Sequence, residues 1–125
     1  MPIQANDRGE VRLALPWPPS VNNLYINASH RRVRSPAYRK WQDEAGWHLK
    51  AARPGKFTGP VSITLELCPP ERRRFDLDNK NKAVIDLLVA HGVIEGDDGR
   101  YVKSTEARCV ENSVHSCVVS VSAVA

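Results

Sequence analysis

The sequence predicts an α+β fold, a small two-layer sandwich in which two helices pack on a mixed or mainly antiparallel sheet, with elements in the order β-α-β-α-β-β. Three observations predict it. Val61, Ile63, Leu65 and Leu67 alternate with Ser62, Thr64, Glu66 and Cys68, the period-two pattern of a half-buried strand. Two further segments carry apolar residues at three- and four-residue spacing, as amphipathic helices do. A chain of 125 residues, 42% hydrophobic and 26% charged, suits one core, so residues 1–125 read as a single domain without repeat or linker.

The polar residues 1–9 are expected to be flexible. Val11, Leu13 and Leu15 alternate with Arg12 and Ala14 as a first strand, which Pro16-Trp17-Pro18-Pro19 stops because proline lacks the ladder donor. Val21 to Arg34 shows little periodicity and reads as a long exposed loop carrying Asn22-Asn23, His30 and the basic cluster Arg31, Arg32 and Arg34. Ser35-Pro36 then starts a helix, with a capping hydroxyl before proline at the first helical position. Tyr38, Trp41, Ala45, Leu49 and Ala52 form its apolar stripe, Gly46 weakens it by about 1 kcal/mol relative to alanine, and Pro54-Gly55 ends it.

After the Val61–Cys68 strand, Pro69-Pro70 delivers the chain to a charged stretch. A second helix is expected over Asp78 to His91 from the stripe Val84, Ile85, Leu88 and Val89, with Gly92 as its C-terminal stop. Val93 to Gly99 is an acidic, turn-rich loop. Tyr101 to Val110 and His115 to Val124 are β-rich, with a turn around Glu111-Asn112-Ser113.

Eighteen Lys and Arg against fourteen Asp and Glu leave a net charge of +4, which favours polyanionic partners only weakly. Cys68, Cys109 and Cys117 are odd in number and lack any CxxC pair. With no signal-like N-terminus and no membrane-length apolar run, they point to a reduced, cytoplasmic protein with no membrane association. The four histidines show no ligand spacing.

The chemistry concentrates in Arg72-Arg73-Arg74-Phe75-Asp76-Leu77-Asp78-Asn79-Lys80-Asn81-Lys82. Asp76 and Asp78 lie two apart, so in an extended segment both point to one side. Their hard oxygens suit Mg²⁺ or Mn²⁺, which usually take one or two carboxylates and complete their shell with water and substrate phosphate. Asp97 or Asp98 can complete the site if the acidic loop folds back. A helix of about thirteen residues, about 20 Å long, stands against that return. On one helical face, Asp78, Lys82 and Asp86 follow at four-residue spacing, which puts Lys82 in reach of a phosphate held by the acids. Each feature also has a plain structural reading: an aspartate can cap a helix, Lys82 can form a surface ion pair, Arg72 to Arg74 can be a solvated run, and Asp97-Asp98-Gly99 can be a turn.

Taken together, these stretches resemble the RusA family of Holliday junction resolvases. The resemblance rests on Leu15-Pro16-Trp17-Pro18-Pro19-Ser20 with Asn22-Asn23, on Arg72 to Asn79 with Lys82, and on Gly92-Val93-Ile94 leading into Asp97. It implies a compact α/β fold and a homodimeric, Mg²⁺-dependent endodeoxyribonuclease, with Mn²⁺ able to substitute, that resolves four-way DNA junctions by paired incisions in recombination and repair. It also implies Asp76, Asp78 and Asp97 as metal-site acids and Lys82 as the active-site lysine. Many members have two adjacent acids ending at the third position, where this chain has Gly96-Asp97-Asp98, so the match favours Asp97 over Asp98 by register alone. Arg31, Arg32, Arg34 and Arg72 to Arg74 are the expected phosphate contacts. The rival expectations are a non-catalytic branched-DNA-binding phage accessory protein and a nuclease for flaps or single strands.

Overall fold

The computed structural model describes residues 9–71 and 74–124. The expected flexible start therefore lies, up to residue 8, outside the described residues, as do Arg72 and Arg73. The elements are β1 (Glu10–Leu15), β2 (Tyr25–Ala28), β3 (Arg31–Arg34), α1 (Pro36–Ala52), β4 (Val61–Leu67), α2 (Asn81–Ala90), β5 (Val102–Cys109) and β6 (Cys117–Ala123), with short 3-10 turns at Val21–Asn23 and Leu77–Asn79.

Alternation places the core. In the mixed sheet of order β1-β6-β4-β5, β4 runs parallel to β5 and antiparallel to β6, and β6 is antiparallel to β1. The register lines up Val11, Val121 and Ile63 across three strands, then Leu13, Val119 and Leu65, then Leu15, Cys117 and Leu67. All nine are buried, and Tyr38, Trp41, Ala45 and Leu49 of α1 join them with Ala83, Val84, Leu87 and Leu88 of α2. The two helices thus share one face, as the apolar stripes predict. The opposite face carries Arg12, Ser62, Thr64 and Ser120, with Arg12 reaching Glu66 at 2.9 Å. Leu65 is fully buried at the centre of this array. Leu65→Ala is expected to lower unfolding free energy by about 2–5 kcal/mol in a urea titration.

Local chemistry sets the ends of α1 as the sequence predicts. Ser35 Oγ accepts from the Tyr38 amide at 3.1 Å and donates to the Asn23 carbonyl at 2.8 Å. It therefore caps α1 and fastens the preceding chain to it. At the other end Arg53 takes a left-handed conformation (φ 49°) before Pro54. Gly46 is buried where the His91 imidazole approaches, 3.1 Å from where a Cβ would stand. The three cysteines are unpaired, and burial pushes the Cys117 thiol up to about 12.

Two expectations are corrected. The supposed loop over Val21 to Arg34 is a 3-10 turn followed by the antiparallel hairpin β2–β3, paired from Tyr25↔Arg34 to Ala28↔Arg31. Its two-residue turn is Ser29-His30, both at positive φ (50° and 67°), as a primed hairpin turn requires. The second helix starts at Asn81, not Asp78, because residues 77–79 form a separate 3-10 turn. Asp78 is therefore not on the helical face of Lys82, and Asp76 and Asp78 do not share one extended segment. Lys80 sits at this break, buried, and its ammonium donates to the Pro18 carbonyl at 3.0 Å.

Candidate active site

Two sequence stretches far apart in the chain are packed together to build the site. Trp17 meets Phe75 edge to face at 4.9 Å, and the Lys80 ammonium sits 4.9 Å from the Trp17 ring centre while bonding to Pro18. Trp41 of α1 donates its indole N–H to the Pro16 carbonyl at 3.1 Å. A proline-rich segment has few donors of its own, so its carbonyls are free to accept from these two side chains. The result is a platform under the segment from Phe75 to Asn79. Lys80 and Trp17 are thus supporting residues that charge pattern alone does not reveal. A buried ammonium under an indole face is visible only when residue 18 and residue 80 are known to touch.

On this platform Asp76 and Asp78 are exposed. Asp76 stands at the N-cap position of the 3-10 turn, yet its side chain makes no capping bond. Its Oδ2 instead accepts from the Asn79 side-chain amide at 3.3 Å. The plain capping reading of Asp76 is therefore not what the carboxylate does. Asn81 Oδ1 is buried and has no hydrogen-bond partner among the described residues.

The acidic loop does fold back. α2 is 10 residues long, about 15 Å, and Gly92 reverses the chain at its end in a left-handed conformation (φ 72°). Val93 and Ile94 are buried, and the Val93 and Ile94 amides bond the Leu88 carbonyl, which pins the loop to the helix. Asp97 consequently lies 3.7 Å from the Lys82 ammonium, through Oδ2. Lys82 also donates to Asp86 Oδ1 at 3.1 Å, one turn along α2. That hydrogen bond is the main reason the lysine is held above its ordinary pKa, and the charge of Asp97 adds to it. Lys82 is thus a fixed cation between a helix acid and a loop acid.

Asp98 faces elsewhere. Its carboxylate accepts from the Arg100 amide (2.9 Å), Nε (3.1 Å) and Nη2 (2.9 Å), which lowers its pKa to about 2. It closes an Asx-type turn. Gly96 has a packing role, since a Cβ there would stand 2.7 Å from the Tyr101 ring. Asp97→Asn is expected to cut any incision rate by about 10²-fold or more, whereas Asp98→Asn leaves it near wild type; single-turnover assays on both variants check this.

The carboxylates of Asp76, Asp78 and Asp97 carry the hard oxygens that suit a divalent cation. Among the described residues, no group of three or more His, Cys, Asp or Glu side chains is gathered as a metal cage. Asp76, Asp78 and Asp97 therefore do not form such a cage as they stand. The described arginines expected at the site are exposed: Arg74 precedes the acids, and Arg31, Arg32 and Arg34 lie on the hairpin. Arg34 donates to Gln42 at 2.7 Å and Arg32 stacks on the Tyr25 ring at 4.8 Å. No helix among the described residues is long and apolar enough to cross a membrane.

Comparison with known proteins bears on this geometry. The family model described as endodeoxyribonuclease RusA matches residues 16–121. Over 81 residues, 64% of this chain, it is 37% identical to the crossover junction endodeoxyribonuclease RusA of Escherichia coli (strain K12), covering 68% of that protein. The identity and coverage are the same for the protein of that name from Shigella sonnei (strain Ss046), and the identity is 36% for that of Enterobacteria phage 82.

Proposed function

This chain belongs to the RusA family of endodeoxyribonucleases, and we propose that it resolves Holliday junctions by paired, metal-dependent phosphodiester hydrolysis during DNA recombination and repair. The observation that carries the reading is the meeting of Asp97 with Lys82 (3.7 Å) across the turn at the end of α2. A cap, a surface ion pair and a turn, read separately, give no reason for the acidic loop to return to that lysine.

In this reading Asp76, Asp78 and Asp97 are the residues that would hold Mg²⁺, or Mn²⁺ in its place. When bound, the ion supplies Lewis-acid polarisation of the phosphoryl oxygen and a more acidic water. The chain's own groups do the rest. Lys82, held by Asp86, presents an ammonium N–H to the scissile phosphate, where negative charge grows in the transition state. Arg74, with Arg72 and Arg73 beside it in sequence, and the hairpin residues Arg31, Arg32 and Arg34 bind flanking phosphates. Such contacts position the junction without reading sequence, and they make affinity fall steeply with salt. A four-way junction is close to two-fold symmetric, so a homodimer with two equivalent sites would cut it twice. The reduced cysteines fit action in the cytoplasm.

The test is a substrate panel at equal concentration with Mg²⁺: four-way junction, flap, single strand and linear duplex. The reading predicts incision of the junction in symmetric pairs and little cutting of the others. Faster cutting of flaps or single strands would replace the resolvase by a different nuclease. Junction retention in a gel shift, with no incision under any divalent metal, would leave only a binding protein.

A further inference from the structure

The hairpin β2–β3 contributes little to the core, since seven of its eight residues are exposed and Val33 is only half-buried. A free two-stranded hairpin is marginal in water, so packing does not explain why this one carries Tyr25, Arg31, Arg32 and Arg34. Those side chains, with Arg39 from the first turn of α1, line a concavity of about 720 Å³. That volume falls in the range of small-ligand sites. Four guanidinium groups and no carboxylate face into it. Its floor is ordered: Tyr25 packs on the buried Tyr38 at 5.9 Å between ring centres, and Arg32 lies 4.8 Å from the centre of the Tyr25 ring. The Leu24 carbonyl, just before the hairpin, accepts from the Ser35 amide at 2.8 Å, which pins its base to α1.

A simple phosphate clamp needs cations alone; here an aromatic ring with a guanidinium over it is part of the lining. Aromatic rings and arginine planes are the surfaces on which unstacked bases settle in single-stranded recognition. The exchange point of a junction is where the duplex stack is interrupted and a base can leave it at the lowest cost.

We infer that the β2–β3 concavity is a nucleotide pocket that takes one unstacked base of branched DNA against the Tyr25–Arg32 pair, with Arg31, Arg34 and Arg39 on its phosphates. The inference rests on the branched-DNA reading above and adds to it a contact with a base, which phosphate positioning lacks.

The experiment is a double cycle in EDTA, where binding is read without cutting. Four-way junctions are made intact or with a single abasic site at each exchange-point position in turn, and their affinities are measured for wild type, Tyr25→Leu and Arg32→Gln at fixed salt. At one position, base removal is expected to weaken wild-type binding by about 5-fold or more. The same removal should have almost no effect on Tyr25→Leu, while Tyr25→Phe, which keeps the ring, should behave as wild type. Arg32→Gln, an exposed substitution away from the core, should also lose the base dependence. Equal binding of intact and abasic junctions by wild type overturns the pocket, as does a base-removal loss that persists undiminished in both variants. If wild type does not bind the intact junction at all, the branched-DNA reading itself fails, an outcome distinct from the other two.

Discussion

Asp76→Asn is expected to retain junction binding while losing incision by about 10³-fold. The magnitude follows from the several kcal/mol of transition-state charge stabilisation that a carboxylate-held ion provides, at tenfold per about 1.4 kcal/mol. The separation of binding from cutting follows from position. Asp76 is exposed, its side chain caps nothing, and its one hydrogen bond, to Asn79, survives an amide in place of the carboxylate. The exchange removes a negative charge beside a bound polyanion, so affinity should be unchanged or slightly stronger. Single-turnover cutting and a gel shift on the same preparation check both halves. Near wild-type cutting by the variant would remove Asp76 from the site.

The second large effect is at Lys82. Replacement by methionine keeps the stem and removes the ammonium, and is expected to slow incision by about 10²–10³-fold, the usual loss of one charge-stabilising donor. Asp86→Asn is expected to cost less, about tenfold, because it frees the lysine without removing it. The two differ in their pH signature. The Asp86 hydrogen bond is the largest cause of the raised lysine pKa, so the ammonium in wild type persists past the ordinary lysine value of 10.5. In Asp86→Asn the folded pKa falls, and deprotonation begins at lower pH. Titration of a ¹³Cε-labelled Lys82 by NMR reads this directly, with the midpoint moving down in the variant. An unmoved midpoint would mean that Asp86 does not hold the lysine.

These predictions depend on parts of the molecule that were unequally legible in the sequence. β4 could be read outright because one face is buried and the other solvated, so every second residue reports its side. α1 was equally open, since Ser35 and Pro36 are local signals that need no distant partner. The hairpin was not legible: its strands are exposed on both faces, so they show no alternation, and Ser29-His30 lacks the glycine or asparagine that usually marks a primed turn. The break between the 3-10 turn and α2 was hidden for another reason. At that break the buried Lys80 reaches Pro18, a contact across 62 residues.

The site shows the same division. The charged run from Arg72 to Lys82 could be found by composition alone, and the resemblance to RusA resolvases turned it into named acids and a lysine. What the sequence left open was whether the loop after α2 comes back, and which acid it brings. Both answers lie in packing. Val93 and Ile94 are buried under α2, which directs the loop toward Lys82, and Arg100 occupies Asp98, which leaves Asp97 to face the lysine. Burial of two aliphatic residues and one local ion pair set where the loop and its two aspartates lie, which residue spacing does not show.

Paired incision is read on a supercoiled plasmid that extrudes a cruciform, incubated with the wild-type protein and Mg²⁺. Two coordinated cuts across the junction within the life of one complex release linear DNA. Linear plasmid is the expected principal product, with none when EDTA replaces Mg²⁺. Nicked circles alone, or a bound cruciform that stays intact in Mg²⁺ and in Mn²⁺, would contradict it.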